Sequence, residues 1–527
     1  MALLAIGWTR LIGAARRRML ATGHFRNMSL RLPWKEDTMF VPVRSCAPIR
    51  ALSRIVLGLM ISCCSTPDVV AVTFTVNSPA DIVDANPGDG VCRTAPDNTV
   101  CTLRAAIMEA NALPGADTII LQANVTYQLT RDGVDDTAVN GDLDVLDSVT
   151  IVGAGPTSTI LDANGGVTKD RAMQVFTCVG NTPASGGSCP GSEHVLVDVS
   201  GVAFRNGQVT TGTFRGGGIT NDGMLTLDNC VIAGNGADTT FVGGGIYNSS
   251  GTLTLNNSTV ANNTLGTSSY GGAGIASFGP MTIINSTISG NVVAASLGYG
   301  GGILNGDVAT VIGSTISGNH AVLGGGISSR SGGSTLNLIN TTISANSSDG
   351  SGGGLAAGLG TIVGLYNVTI TGNQANADAV GLGDGGGVLV TDTATVTVSN
   401  SIISNNYYRN EGSPFDTFDE CSGALTLLGD MNNIVTFRIA AHCPITGTYK
   451  PDAASLGPLQ GNGGPTSTHA LLVGSEAIDH GNPSGCTDNL GAFITTDQRG
   501  VHRPNGAVCD LGAYEFDNII FQNGFNS

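Results

Sequence analysis

Gly300-Gly-Gly-Ile303, followed by Ser314-Thr-Ile-Ser-Gly-Asn319, is the clearest copy of a pattern that recurs seven times between Gly216 and Asn406. The aliphatic residue closing each Gly run falls at Ile219, Ile246, Ile275, Ile303, Ile327, Leu355 and Val388. The Asn closing the second run falls at Asn235, Asn263, Asn291, Asn319, Asn346, Asn373 and Asn406, at intervals of 28, 28, 28, 27, 27 and 33. A period in this size range marks a solenoid, in which each repeat is one supersecondary unit.

The letters inside a repeat choose the solenoid. Leu253-Thr254-Leu255 and Thr259-Val260 alternate with period two and are β-branched or aliphatic, which is strand chemistry. A Gly-Gly-Gly run is costly inside a helix, so helical repeats are excluded. Short strands joined by Gly and Asn corners, one coil per repeat, predict a parallel β-helix whose coils stack about 4.8 Å apart. Val260, Ile288, Ile316, Ile343 and Ile370 should form an inward column. Thr259, Thr287, Thr315, Thr342 and Thr369 should point outward beside it. The recurring Asn can be a row of ligand-binding amides or a structural corner ladder. The ladder is the reading adopted, since Asn also tolerates the left-handed backbone of a tight corner.

The 527 residues include 77 Gly and only three Lys, at Lys35, Lys169 and Lys450. Residues 1–71 carry ten Lys or Arg against three acids; the remainder carries 13 against 37, a balance of about 24 negative charges. Such an acidic surface argues against nucleic acid or anionic lipid as a partner. Within 1–71, Arg44, Arg50 and Arg54 precede the apolar run Ile55–Ile61, and Val69-Val-Ala71 offers a small-residue cleavage site. This reads as a secretory leader, with Met39 as a candidate start; a lipid-bearing Cys63 is the rival reading. The run is too short to span a membrane, and no transmembrane span is expected in the mature chain.

Twelve cysteines suit an exported protein. Outside the leader, which holds Cys46, Cys63 and Cys64, neighbours suggest the pairs Cys92–Cys101, Cys178–Cys189, Cys421–Cys443 and Cys486–Cys509. Cys230 is left over at a station where other repeats carry Ser258, Ser286, Ser314 and Thr341, and reads as a buried thiol.

The chain divides into a leader over 1–71, an N-terminal cap over 72–121 and irregular first coils over 122–215. Seven regular repeats follow over 216–406, then a disulfide-bearing loop or partial coil over 407–455, a C-terminal region over 456–516 and a tail over 517–527. In the cap, Leu103, Ala106, Ile107 and Ala110 fall at helical spacing behind the N-cap candidate Thr102. An amphipathic helix there would cover the open end of the solenoid. The stretch Cys101-Thr-Leu-Arg-Ala-Ala106 resembles the CSLREA motif of secreted bacterial repeat proteins, with Thr for Ser and Ala for Glu. The repeats resemble two families: the right-handed parallel β-helix group that includes pectin lyases, and the polymorphic outer-membrane protein repeats with GGAI and FxxN elements. Here GGGI and Ile288-x-x-Asn291 stand in for those elements. Leu456–Asp479 and Thr496–Glu515 resemble the choice-of-anchor domain of exported bacterial proteins, expected to cap the C-terminal end. There Asp497, Arg499 and Arg503 read as a structural ion-pair cluster. These resemblances imply a right-handed coil and a secreted or cell-surface location, bacterial outer membrane or extracellular.

A polysaccharide lyase on such a fold would need a cationic base beside carboxylates. Between Gly216 and Asn406 the one cation among Lys and Arg is Arg330; Arg205 and Arg215 lie just outside. The acids at offsets comparable to Arg330 are Asp222 and Asp307, and the acids of the repeats do not recur on neighbouring coils in a paired arrangement. A hydrolase needs two carboxylates within about 5–10 Å, and Asp378 with Asp384 is the nearest pair in sequence. His320 follows a corner Asn and reads as exposed. Asp132, Asp135, Asp136, Asp142, Asp144 and Asp147 are candidate calcium ligands or simply an acidic edge, with no EF-hand or nonapeptide spacing. Tyr407, Tyr408, Phe415, Phe418 and Phe437 could stack on sugars or pack under a loop. No catalytic constellation emerges, and no cofactor is implied, calcium apart. The expectation is an exported, non-catalytic surface or extracellular protein, adhesive or structural, whose partner is a polysaccharide or a host or cell-surface ligand. The alternative is a carbohydrate-active enzyme, a lyase or hydrolase.

Overall fold

The computed structural model describes residues 71–133, 135–177, 194–210, 216–238, 242–266, 270–294, 296–380, 383–410, 416–437, 441–452 and 454–517. The leader through Val70, Cys178 with Cys189, Arg215, Phe415 and the tail from residue 518 lie outside these.

One repeat makes one coil. In the coil that opens at Ile303, four short strands follow one another: Ile303–Asn305, Val308–Ile312, Thr315–Ser317 and His320–Ala321. Each pairs in parallel with its counterpart one repeat later, Ile303 with Ile327, Val308 with Thr335, Thr315 with Thr342 and His320 with Ser347. Four sheets result, numbered one to four in that order, with 10, 13, 11 and 9 strands among the described residues; all pair in parallel except the last of sheet four, Asp416–Phe418. The chain is therefore an all-β parallel solenoid.

The period-two alternation sets what faces inward. Val260, Ile288, Ile316, Ile343 and Ile370 are 0 % exposed, as are Ile219, Ile246, Ile275, Ile303, Ile327, Leu355 and Val388. Burial of each such side chain contributes about 1.5–3 kcal/mol. The Gly run lets the chain enter sheet one against the next coil. A Cβ at Gly302 would lie 2.6 Å from the Gly326 carbonyl oxygen.

The recurring Asn form a buried ladder. Asn263 Nδ2 donates to Asn291 Oδ1 at 3.0 Å and to the Ile232 carbonyl at 3.0 Å, while Asn263 Oδ1 accepts both the backbone N–H and Nδ2 of Asn235. The same pattern repeats through Asn319, Asn346 and Asn373 to Asn406. Every amide group in the row is thus satisfied, which burial demands. The left-handed backbone sits one residue before the ladder position, at Asn262, Gly290, Gly318, Ala345, Gly372 and Asn405, not at the ladder Asn. A second column runs beside it: Ser258, Ser286 and Ser314 Oγ accept the N–H of Cys230, Ser258 and Ser286. Cys230 holds this station as a buried free thiol, pushed up to about 11 by burial.

At the N-terminal end the helix Leu103–Ala112 buries Leu103, Ala106, Ile107 and Ala110 in the main core, and Thr102 Oγ1 accepts the Ala105 N–H. Arg104 is wholly buried. It pairs with Asp81 and donates to the carbonyls of Ala138, Gly141 and Asp142, tying the helix to the first coil. Within residues 407–455 the solenoid continues: Cys421–Ser422, Leu425–Leu428 and Ile434–Val435 add one more strand each to sheets one, two and three. Disulfides join Cys92 to Cys101, Cys421 to Cys443 and Cys486 to Cys509.

The C-terminal region gives lateral cover. Its contacts run along the outer face of sheet three, from the Thr315 coil to the last one. Thr315 Oγ1 donates to the Ser467 carbonyl, Thr342 Oγ1 to Gln498 Oε1, and Thr369 Oγ1 accepts the Ala513 N–H. Farther along, Asn432 Nδ2 donates to the His480 carbonyl. The outward Thr column is consequently split. Thr259 and Thr287 are half-buried, while Thr315, Thr342 and Thr369 are buried under this flank.

Two measurements test this packing. Ile316→Asp should cost several kcal/mol in thermal or denaturant unfolding, because it buries a charge without a partner. Thr287→Asp should cost under about 1 kcal/mol, and Thr315→Asp should fall between, since it disturbs the contacts with Ser467 and Gln498. Equal losses at Thr287 and Thr315 would contradict the lateral placement.

The ladder ends on Glu420, whose Oε2 accepts both Asn406 N–H groups and whose Oε1 accepts Thr436 Oγ1. Burial pushes its carboxyl from 4.5 up to about 7. The folded state then holds more protons than the unfolded state between those values, so stability is full below pH 4.5 and falls as pH rises to about 7. Glu420→Gln should flatten this fall and raise the melting temperature at pH 8, read by melting curves across pH.

Candidate functional site

The middle residues of the sheet-one strands, Tyr247, Ala276, Leu304 and Ser328, stack in register with their side chains outside the main core. Before each Gly run, Val242, Gly271, Tyr299 and Leu323 stack by single bridges. At the corner after sheet one the successive residues are Ser249, Phe278, Gly306, Arg330, Gly358 and Thr391. The two corners enclose a groove of about 670 Å³ lined by Tyr270, Phe278, Tyr299, Leu304, Arg330 and Leu359 over Tyr247 and Val242. The rings of Tyr270 and Phe278 are exposed, and Tyr299 is half-buried. Tyr247 is buried and supports Phe278 in a tilted contact with centroids 6.1 Å apart.

Glycine makes room for the large side chains. A Cβ at Gly306 would lie 2.5 Å from Phe278 Cδ1, and one at Gly358 would lie 2.6 Å from Arg330 Nη1. Arg330 thus crosses the Gly358 coil and reaches the coil beyond it. Nη1 donates to Thr391 Oγ1 at 2.8 Å, and Nη2 lies 3.5 Å from Asp392 Oδ2. This corrects the expectation that Arg330 has no acid close by, based on the offsets of Asp222 and Asp307: Asp392, two coils on, reaches it. Strand offsets identify residues at one station, but a long side chain over a glycine reaches two coils.

The other candidates separate. Arg205 Nε lies 3.7 Å from Asp162. Asp378 accepts the N–H of Val380 in its own turn, whereas Asp384 lies 3.9 Å from His442. His320 is half-buried, not simply exposed: Nδ1 is 3.0 Å from Ser347 Oγ and Nε2 is 3.3 Å from Asp349 Oδ2. Tyr407 and Tyr408 lie half-buried in a short antiparallel pairing with Asp416–Phe418, and Phe418 stacks on Phe437 at 4.8 Å.

The acidic run also divides. Asp135 accepts N–H groups from Thr137, Val139 and Asn140, closing its own loop. Asp142 and Asp144 are buried near Asp170 and Arg171. Burial, with Asp144 and Asp170 alongside, pushes Asp142 well up, and burial holds Asp144 at about 8. Among the described residues, no three His, Cys, Asp or Glu side chains are grouped to hold a metal ion. In the C-terminal region Asp497 pairs with Arg499 at 2.7 Å and Arg503 with Glu515 at 3.0 Å, all buried or nearly so. Arg499 also lies over the Tyr514 ring at 3.5 Å. These pairs are part of the packing. No described helix is long and apolar enough to cross a membrane.

The groove aromatics were the part sequence reading missed. Tyr247, Tyr270, Phe278 and Tyr299 are spread over different stations of three repeats, and the signal available was only that these four aromatics crowd into little more than fifty residues of repeats that are otherwise poor in them.

A family model described as right handed beta helix region matches residues 245–437. No curated protein matches the chain in sequence. Among solved structures, the crystal structure of pectate lyase Pel9A is similar at 14% identity and a TM-score of 0.39, covering 85% of this chain and 98% of that one. Over residues 245–437 the family match and the stacked parallel sheets agree on the fold, a right-handed parallel β-helix.

Proposed function

We propose that this chain is an exported surface or extracellular β-helix protein that binds a polysaccharide in the aromatic groove without cutting its glycosidic bonds. The observation that carries the reading is the groove itself. Tyr270, Tyr299 and Phe278 line an open trough about 670 Å³ in volume along the outer face of sheet one. Amphipathic rings with hydroxyl edges suit a sugar, which offers an apolar face and a polar rim. An extended trough suits a polymer better than a small metabolite. Export is supported by the leader's Arg-then-apolar pattern and by the three disulfides, which belong to an oxidising compartment. Adhesion or a structural surface role follows from binding that leaves the polymer chain uncut.

A carbohydrate-active enzyme is the second reading, and the Arg330–Asp392 contact favours it, since it sets a cation beside a carboxylate at one end of the groove. Against it, the guanidinium is engaged by Thr391 and Asp392, and as a base it would first have to release a proton.

Affinity electrophoresis against a panel of plant, algal and bacterial polysaccharides should find a retarding polymer. Tyr270→Ala and Tyr299→Ala should each weaken that binding about fivefold, roughly 1 kcal/mol per ring, with an unchanged melting temperature. Retardation that survives both substitutions would remove the groove from the account. The purified protein should release neither unsaturated nor reducing sugar from the bound polymer, with or without calcium. Turnover abolished by Arg330→Ala would instead establish the enzyme.

A further inference from the structure

The outer face of sheet four carries a second chemical feature, independent of the groove. Along this sheet Val292, His320, Ser347 and Gln374 occupy one station in consecutive coils. Asp349 follows Ser347 by two residues, and its N–H is fixed to the Ala321 carbonyl. The His320 imidazole lies between two partners, with Ser347 Oγ 3.0 Å from Nδ1 and Asp349 Oδ2 3.3 Å from Nε2. We infer that Ser347, His320 and Asp349 form a nucleophilic centre that hydrolyses esters, acting on small acyl groups carried by a sugar polymer.

The chemistry follows from the two contacts. A neutral imidazole carries one N–H and one acceptor nitrogen. With the Asp349 carboxylate 3.3 Å from Nε2, the tautomer protonated at Nε2 is the favoured one, which leaves the Nδ1 lone pair facing the Ser347 hydroxyl. Asp349 is a positioning residue: it fixes the tautomer and stabilises the imidazolium that forms. Ser347 Oγ adds to the acyl carbon as its proton passes to His320 Nδ1. The tetrahedral adduct collapses, the ester C–O bond breaks, and the departing sugar oxygen takes the proton from Nδ1. Water repeats the sequence on the acyl-serine, releasing a carboxylic acid and restoring Ser347. Ester and water become acid and alcohol, and no further reactant enters.

Gln374 stands on the far side of Ser347 from His320, and its buried Nε2 has no hydrogen-bond partner. His320 and Asp349 retain about a third of their side-chain exposure, so an ester on a polymer can approach across the open face. The acyl-polymer class rests on the groove reading, because Leu323, three residues after His320, continues the Tyr299 column of the groove. The nucleophile itself does not depend on that reading.

The full-length mature chain, treated with an alkyl fluorophosphonate and mapped by peptide mass spectrometry, should carry the label on Ser347. p-Nitrophenyl acetate should be hydrolysed in the same preparation. Ser347→Ala should abolish both signals. His320→Asn should reduce labelling at least a hundredfold, and Asp349→Asn at least tenfold with a displaced pH profile, at unchanged melting temperature. Should Ser347→Ala fail to fold, mapping the label on the unaltered chain still decides. No label on Ser347, or a label indifferent to His320→Asn, overturns the proposal. Labelling and acetate hydrolysis without release of acid from any acylated polymer would refute the substrate class while leaving the groove reading to its own binding assay.

Discussion

The hydrogen bond between one coil and the next is the interaction on which everything else depends. Each short strand has no partner within its own repeat and finds one only in the neighbouring coil. Repeat length is therefore constrained, because Ile303 must meet Ile327 and Thr315 must meet Thr342. The Asn ladder enforces that register from inside. Each amide is satisfied only if the next coil presents its own amide at the same height. A slip by one residue would bury unpaired amides and turn the Ile column outward. Where a repeat is longer, the surplus falls between strands: between Gln374–Ala375 and Val388–Val390 the repeat holds more residues than its neighbours, and Val388 still pairs with Leu355.

Satisfied inside, the coils are free to vary outside, and the chemistry collects there. The groove depends on large residues alternating with glycine at one corner, so that Phe278 and Arg330 can extend over coils that offer no side chain. The His320 centre depends on the opposite arrangement, functional side chains on adjacent coils at one station. Both use the fixed rise of the solenoid as a ruler.

The two ends and the flank solve the problem of exposed edges in different ways. At the start, a helix covers the core and its buried Arg104 collects three carbonyls of the first coil. At the other end, the ladder closes on a carboxyl, Glu420, in place of an amide. The C-terminal region covers sheet three from the side, which buries hydroxyls that a repeat by itself would leave wet.

The sequence by itself determined the period, the strand chemistry, the inward Ile column, the amide ladder and the three described disulfide pairs. These are properties of one station repeated, and identical stations must stack whatever else the chain does. Even the odd Cys230 was legible as a buried thiol because it occupied a serine station. Only the tertiary structure decided which outward residues meet. Thr287 and Thr315 hold the same station, yet a segment more than 150 residues later in the chain covers one and not the other. Arg330 reaches Asp392 because Gly358 leaves the intervening coil bare. Tyr270, Phe278 and Tyr299 converge although no two share a station, since the groove is formed by corners on either side of sheet one. Such contacts depend on side-chain length and on where distant segments dock. Periodicity carries neither.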